Sequence, residues 1–154
     1  MVSFGTWDLN KVDVRIFDLA SRKITSLPSR PGGFWSTRWS PDGRYIAGLP
    51  TKMDNLAIFD LKTQQWKDLL RKGPNAFPSW SRDGRFIYYL RSADDRGIFR
   101  IPISGGNEER IVDLKDFRYT GWYGAWFGLD PTDAPLLLRD AGTDEIYALA
   151  LEER

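Results

Sequence analysis

The chain has 154 residues, enough for one domain with a hydrophobic core, and its 22 Lys plus Arg nearly balance 21 Asp plus Glu. A formal net charge of +1 gives no bulk-charge case for a nucleic-acid partner or an anionic membrane surface. The sequence contains no His and no Cys, which excludes Ser-His-Asp triads, thiolate nucleophiles, disulfides and metals held by His or Cys.

Hydrolysis by paired carboxylates and all-oxygen cation sites remain formally open. No apolar run approaches the roughly 18 residues of a membrane-spanning helix, so no membrane insertion is expected. The first residues, Met1-Val-Ser-Phe-Gly-Thr-Trp-Asp, do not read as a signal peptide. The cytoplasm is the default compartment, or the periplasm if the chain belongs to a longer anchored protein. Seven Trp, six Tyr and nine Phe, with abundant Gly and Pro, suit many short strands joined by tight turns.

In chain order, the first recognisable element is Val14-Arg-Ile-Phe-Asp-Leu-Ala-Ser, inside a partial unit spanning about residues 3–28. Trp39-Ser-Pro-Asp-Gly-Arg-Tyr-Ile-Ala-Gly follows and returns as Trp80-Ser-Arg-Asp-Gly-Arg-Phe-Ile-Tyr-Tyr, 41 residues later. After each copy comes a second shared stretch. Leu56-Ala-Ile-Phe-Asp-Leu-Lys-Thr matches Gly97-Ile-Phe-Arg-Ile-Pro-Ile-Ser, and both match the stretch at Val14. A decayed copy begins at Trp126-Phe-Gly-Leu-Asp-Pro-Thr-Asp and ends at Asp144-Glu-Ile-Tyr-Ala-Leu-Ala. A period near 40 residues with several strands per unit points to a β-propeller of four-stranded antiparallel blades.

The expected layout is one all-β domain over 1–154. It comprises a partial blade at 3–28, full blades at 36–70 and 77–113, and a partial blade at 122–151. In the first full blade, strands A to D fall near 35–39, 44–49, 55–61 and 64–70. Ser40-Pro-Asp-Gly43 and Ser81-Arg-Asp-Gly84 make the A–B turns: Asp bonds the backbone ahead and Gly takes the positive φ that re-enters strand B. Gln64-Gln-Trp-Lys-Asp-Leu-Leu-Arg-Lys has helical spacing, but its repeat-mates at Arg22 and Glu109 alternate as strands do. The repeat overrides local propensity, and the segment is expected to be strand D.

The Trp-Ser-Pro-Asp-Gly-Arg-Tyr-Ile block followed by Leu-Ala-Ile-Phe-Asp-Leu resembles the TolB-like β-propeller repeat, from about Val14 to Leu151. The tail from Tyr123 to Leu149 is similar to the C-terminal part of propellers in bacterial multidomain sensor and regulator proteins. There the propeller lies behind a winged-helix or protein-kinase domain. The resemblance implies about six blades in a closed ring, no catalytic residues in the propeller itself, and recognition of a protein or small ligand on the loop face. This chain shows two full blades between two partial ones. An open arc would expose apolar blade faces. The expected remedy is a homodimer in which two arcs close one ring; the alternative is a truncated gene product, marginally stable alone.

Candidate functional residues are few. Trp39 and Trp80 read as packing between blades, and Asp42, Asp83, Asp130 and Asp133 as turn formers. Asp94 and Asp95, flanked by Arg91 and Arg96, read as a solvated turn. The D–A connections and strand A starts carry Trp35, Arg38, Phe77, Arg118, Trp122 and Tyr123. Aromatic and Arg residues on one rim are the types that dominate binding hot spots. The expected function is a non-catalytic interaction module, with no metal, no cofactor and no nucleic-acid partner. The alternatives are an accessory propeller fragment of a larger hydrolase or regulator, or a vestigial fragment without a ligand. No G-x-S-x-G nucleophile elbow occurs in the chain.

Overall fold

Successive hairpins of short strands, each pairing with the strand before it, give this chain its architecture. The computed structural model describes residues 1–5, 13–28, 30, 33–92, 95–120 and 126–143. Among them every regular element is a β-strand. Strands β1 (Val2–Gly5), β2 (Val14–Phe17) and β3 (Ile24–Ser26) form blade I, in that order. Blade II is β4 (Phe34–Trp39), β5 (Tyr45–Pro50), β6 (Leu56–Asp60) and β7 (Gln65–Leu70). Blade III is β8 (Asn75–Trp80), β9 (Phe86–Arg91), β10 (Gly97–Pro102) and β11 (Glu109–Asp113). Blade IV shows β12 (Phe127–Leu129) and β13 (Pro135–Leu137). All pairings are antiparallel. The segment with helical spacing is strand β7, as its repeat-mates imply.

The A–B turns explain why the Ser-x-Asp-Gly block recurs. Ser40 Oγ donates to Asp42 Oδ1 at 2.6 Å and accepts the Tyr45 amide at 2.8 Å, while Asp42 also accepts the Arg44 amide at 3.0 Å. Ser81, Asp83, Phe86 and Arg85 repeat the pattern at 2.8, 2.9 and 3.0 Å. Gly43 and Gly84 close the two turns at φ 73° and 70°, a conformation that costs glycine little. The decayed turn of blade IV is one residue shorter, closing from Asp130 to Ala134 where the others close from Ser40 to Tyr45 and from Ser81 to Phe86, and it uses other residues. Asp130 Oδ1 alone accepts the Thr132 hydroxyl and the amides of Thr132 and Ala134, and Asp133 takes the positive φ of 66°.

A second repeated device lies in strand A. The register of β4 against β5 shifts between Trp35 and Arg38, and that of β8 against β9 between Ala76 and Ser79. Ser36 and Phe77, 41 residues apart, both sit at φ 52°. These are β-bulges, which bend and twist the strand that carries them. A bulky residue at positive φ is strained; Phe77 is kept there by packing against the blade III–IV core.

The core is not one centre but a stack of layers between blades. Val14 and Ile16 of blade I meet Ile46, Ala57 and Phe59 of blade II. Ala47, Leu49 and Ile58 of blade II meet Ile87, Tyr89, Phe99 and Ile101 of blade III. Tyr88, Leu90 and Ile98 of blade III meet Phe127 of blade IV. Strand alternation sends successive residues to opposite faces, so each complete blade buries both. This is why β5 and β9 read as nearly continuous apolar runs.

Candidate functional site

The rim bearing the D–A connections and B–C loops follows one plan in three successive blades. Each connection delivers a cation to a carboxylate of the blade it leads into. Ahead of blade II, Arg30 Nη1 lies 2.6 Å from Asp68 Oδ1, and Asn55 Nδ2 adds a bond to the same oxygen at 2.9 Å. Ahead of blade III, Lys72 Nζ lies 3.1 Å from Asp95 Oδ2 and 3.3 Å from Glu108 Oε1. Ahead of blade IV, Arg118 Nη2 lies 3.6 Å from Asp140 Oδ2. The pairs tie neighbouring blades together on this rim. Hydrogen bonds from Arg30, with Asn55 and Arg71 adding to them, hold the Asp68 carboxyl well below the usual carboxylate range.

The rim of blade III holds the densest cluster. Arg91 is fully buried, with its guanidinium carbon 4.2 Å from the Phe99 ring centre and 5.6 Å from that of Tyr89. Its Nη1 bonds Glu108 Oε1 at 2.9 Å and Asp95 Oδ2 at 3.1 Å, and its Nη2 bonds the other Glu108 oxygen. The Tyr89 hydroxyl donates to Glu108 as well. Burial by itself would raise the Glu108 pKa; the bonds from Arg91 and Tyr89 outweigh it and hold the carboxyl at about 2. Burial, with the Glu108 bond added, pushes the Tyr89 hydroxyl well above its ordinary value. Arg91 and Glu108 thus form an ion pair in a largely dry layer, with Lys72 and Asp95 closing it on the solvent side.

In blade II the same cross-strand position is Phe34 opposite Pro50, where blade III has Asn75 opposite Arg91. Beside this pair the rim has a cavity of about 210 Å³ lined by Arg30, Phe34, Pro50, Lys52, Asp54 and Asn55, among others. Phe34 stacks on Trp66 with ring centres 3.9 Å apart. On the opposite rim a groove of about 640 Å³ runs between blades II and III, beside Tyr45, Ile58, Lys67 and Ser104. There Lys67 Nζ clamps the next blade through the carbonyls of Ser104 at 2.8 Å and Ile103 at 3.3 Å.

The residues nominated from sequence are not brought together as one site. Arg38 is exposed on β4, its Nη1 bonded to the Thr37 carbonyl at 3.0 Å, while its own carbonyl accepts Trp80 Nε1 at 2.9 Å. Phe77 is half-buried at the bulge, and Arg118 is exposed but paired with Asp140. Trp35 lies on β4 at the start of its bulge. Trp122 and Tyr123 lie outside the described residues, as do Asp94 and the segment 144–154. Trp39 and Trp80 pack into the layers between blades. Asp95, read as part of a solvated turn, is instead drawn into the Arg91 cluster. The sequence points to Arg91 only as a flank of the Asp94–Asp95 turn, and to Tyr89, Glu108 and Lys72 not at all. One signal was available: an Arg ends an apolar strand where the sister blade has Pro50.

No family model matches the chain. TolB from Acinetobacter baumannii superimposes with a TM-score of 0.69 at 18% identity, over 92% of this chain and 36% of that one. The fold is that of a TolB-like β-propeller. A TolB of Agrobacterium tumefaciens gives a TM-score of 0.60 at 23% identity, over 72% of this chain and 42% of its own. An acylaminoacyl peptidase of Pyrococcus horikoshii gives 0.54 at 18% identity, over 72% of this chain and 22% of the enzyme. In sequence, an uncharacterised protein of Agrobacterium fabrum is 31% identical over 106 residues, which is 66% of this chain and 32% of that protein. The chain spans less than half the length of each of these proteins, and among the described residues its blades form an open array rather than a closed ring.

Proposed function

We propose that this TolB-like arc is a non-catalytic recognition module that engages a protein partner through the rim of its D–A connections. The observation that carries the reading is how the carboxylates are used. Asp68, Asp95 and Glu108 are committed to cations, and Asp42, Asp83 and Asp130 to turn amides and hydroxyls. Every described carboxylate with a shifted pKa is shifted downward. A general acid needs the opposite shift. With no His or Cys in the sequence, acid–base chemistry has few remaining candidates. The D–A connections carry the exposed Arg71 and Arg118, with Phe117 and Tyr119 half-buried, residue types that anchor protein interfaces.

The test compares the partners retained by the wild-type chain with those retained by Arg71→Ala, at the exposed D–A connection into blade III, and Trp122→Ala. Loss of the same partner in either variant is the expected result; equal retention by both removes the rim site. A second reading, a propeller attached to a hydrolase, draws support from the likeness to the peptidase, whose chain this one covers by 22%. The nucleophile elbow is missing from this sequence, so any such activity would belong to another domain. Turnover of peptide or ester substrates by this chain alone would contradict the non-catalytic reading.

A further inference from the structure

Among the described residues, the outermost faces of the arc are built like its inner ones but carry exposed apolar side chains. Consider the face of each blade that looks toward the next. In blade II it carries Ala47 and Leu49, and in blade III Tyr88 and Leu90, all at most 4% exposed. The matching residues in blade IV are Leu136 and Leu138. Leu136 pairs with Gly128 of strand A just as Tyr88 pairs with Ser79 and Ala47 with Arg38. Leu136 and Leu138 are 52% and 58% exposed.

The opposite face repeats the contrast. In blade II the cross-strand row Ile46–Phe59–Trp66 looks back toward blade I, and Ile46 and Phe59 are fully buried there. The equivalent row of blade I is Val2–Phe17–Ile24. Val2 is 48% and Ile24 58% exposed. One end of the arc thus presents an apolar forward face and the other an apolar rear face. Forward against rear is the contact already made between every pair of adjacent blades in the molecule.

We propose that two copies of this chain associate head to tail, the blade IV face of one (Leu136, Leu138) packing on the blade I face of the other (Val2, Phe17, Ile24). The occupant is inferred from continuity: such a contact extends the stack by the same layer packing seen between blades I and II, II and III, and III and IV. It is heterologous, joining two different patches, and not a two-fold contact of one patch with itself.

The heterologous character makes the proposal testable by complementation. Sedimentation of the whole chain from about 1 to 100 μM is expected to show concentration-dependent self-association at affinities ordinary for protein contacts. Leu138→Glu removes only the forward face and Ile24→Glu only the rear face. Each variant alone is expected to associate at least tenfold more weakly, whereas an equimolar mixture regains one intact contact and forms a heterodimer. Both positions are exposed, so unchanged thermal unfolding serves as the folding control. A wild-type chain that stays monomeric throughout would overturn the proposal, and would leave these faces to further propeller blades. Self-association undiminished in both single variants, or a mixture no more associated than its parts, would overturn it too.

Discussion

Blades II and III differ most where their backbones agree best. Both end strand B opposite the first residue of strand A on the same rim. In blade III that pair is Asn75 and Arg91, and the Arg91 guanidinium fills the space between rings and carboxylates; in blade II it is Phe34 and Pro50, and a cavity of about 210 Å³ remains. The A–B turns and the strand A bulges are shared by the two blades, while the side chains at this cross-strand pair differ. The repeat fixes a scaffold, and the residues placed on this stretch of it differ between the two blades.

Removing the seal should have the largest effect. Arg91→Ala removes the buried partner of Glu108 and Asp95, which keep Lys72 at the solvent side, so the loss should approach but not exceed the roughly 3–5 kcal/mol of a fully buried pair broken from one side. Urea unfolding of this variant beside Pro50→Ala breaks or sharpens the comparison. A large fall in midpoint is expected for the first, and a change of no more than about 1 kcal/mol for the second. Equal effects would mean that the cluster in blade III contributes nothing special.

The next effect is on acid stability. Glu108 titrates at about 2 in the folded chain against an ordinary 4.5. As pH falls below 4.5 the unfolded chain takes up this proton first, so the stabilisation present above 4.5 is lost progressively toward 2. Glu108→Gln should flatten that part of the profile of urea midpoint against pH. A profile as steep as the wild type's would assign the acid sensitivity to other groups.

Smaller effects belong to features the two blades share. Ser40→Ala and Ser81→Ala each remove the hydroxyl that closes an A–B turn, and each should cost about 1 kcal/mol, with the two values alike because the bond patterns are alike. The exposed Arg85–Asp83 pair has no such leverage. Arg85→Ala should move the thermal midpoint by the equivalent of under about 1 kcal/mol.

The fold was legible because its signals are local and repeated. Ser40 to Gly43 and Ser81 to Gly84 specify a turn wherever they occur, and the decayed Asp130 to Asp133 turn, one residue shorter, still shows turn residues. The strand identity of Gln65–Leu70 came from its repeat-mates, since β-propensity depends on the surrounding sheet. The bulges at Ser36 and Phe77 were not legible, for neither residue advertises a positive φ. The Arg91 cluster was hidden for another reason. Its members are spread from Lys72 to Glu108 and meet only once the D–A connection folds over the blade it enters. Arg38 and Arg118 carried the composition expected of a rim site, yet Arg118 is used to hold blade IV.

The measurement that most directly tests the reading of this chain as a recognition module is a carboxyl-carbon NMR titration of its Asp and Glu side chains. The expected midpoints are about 2 for Glu108, held by Arg91 and Tyr89, and about 2 for Asp83, held by the Arg85 amide and Ser81. A Glu108 midpoint at 4.5 or above would contradict the sealed rim. A rim carboxyl titrating near neutrality, at roughly 6–7 where general acids operate, would contradict the non-catalytic role.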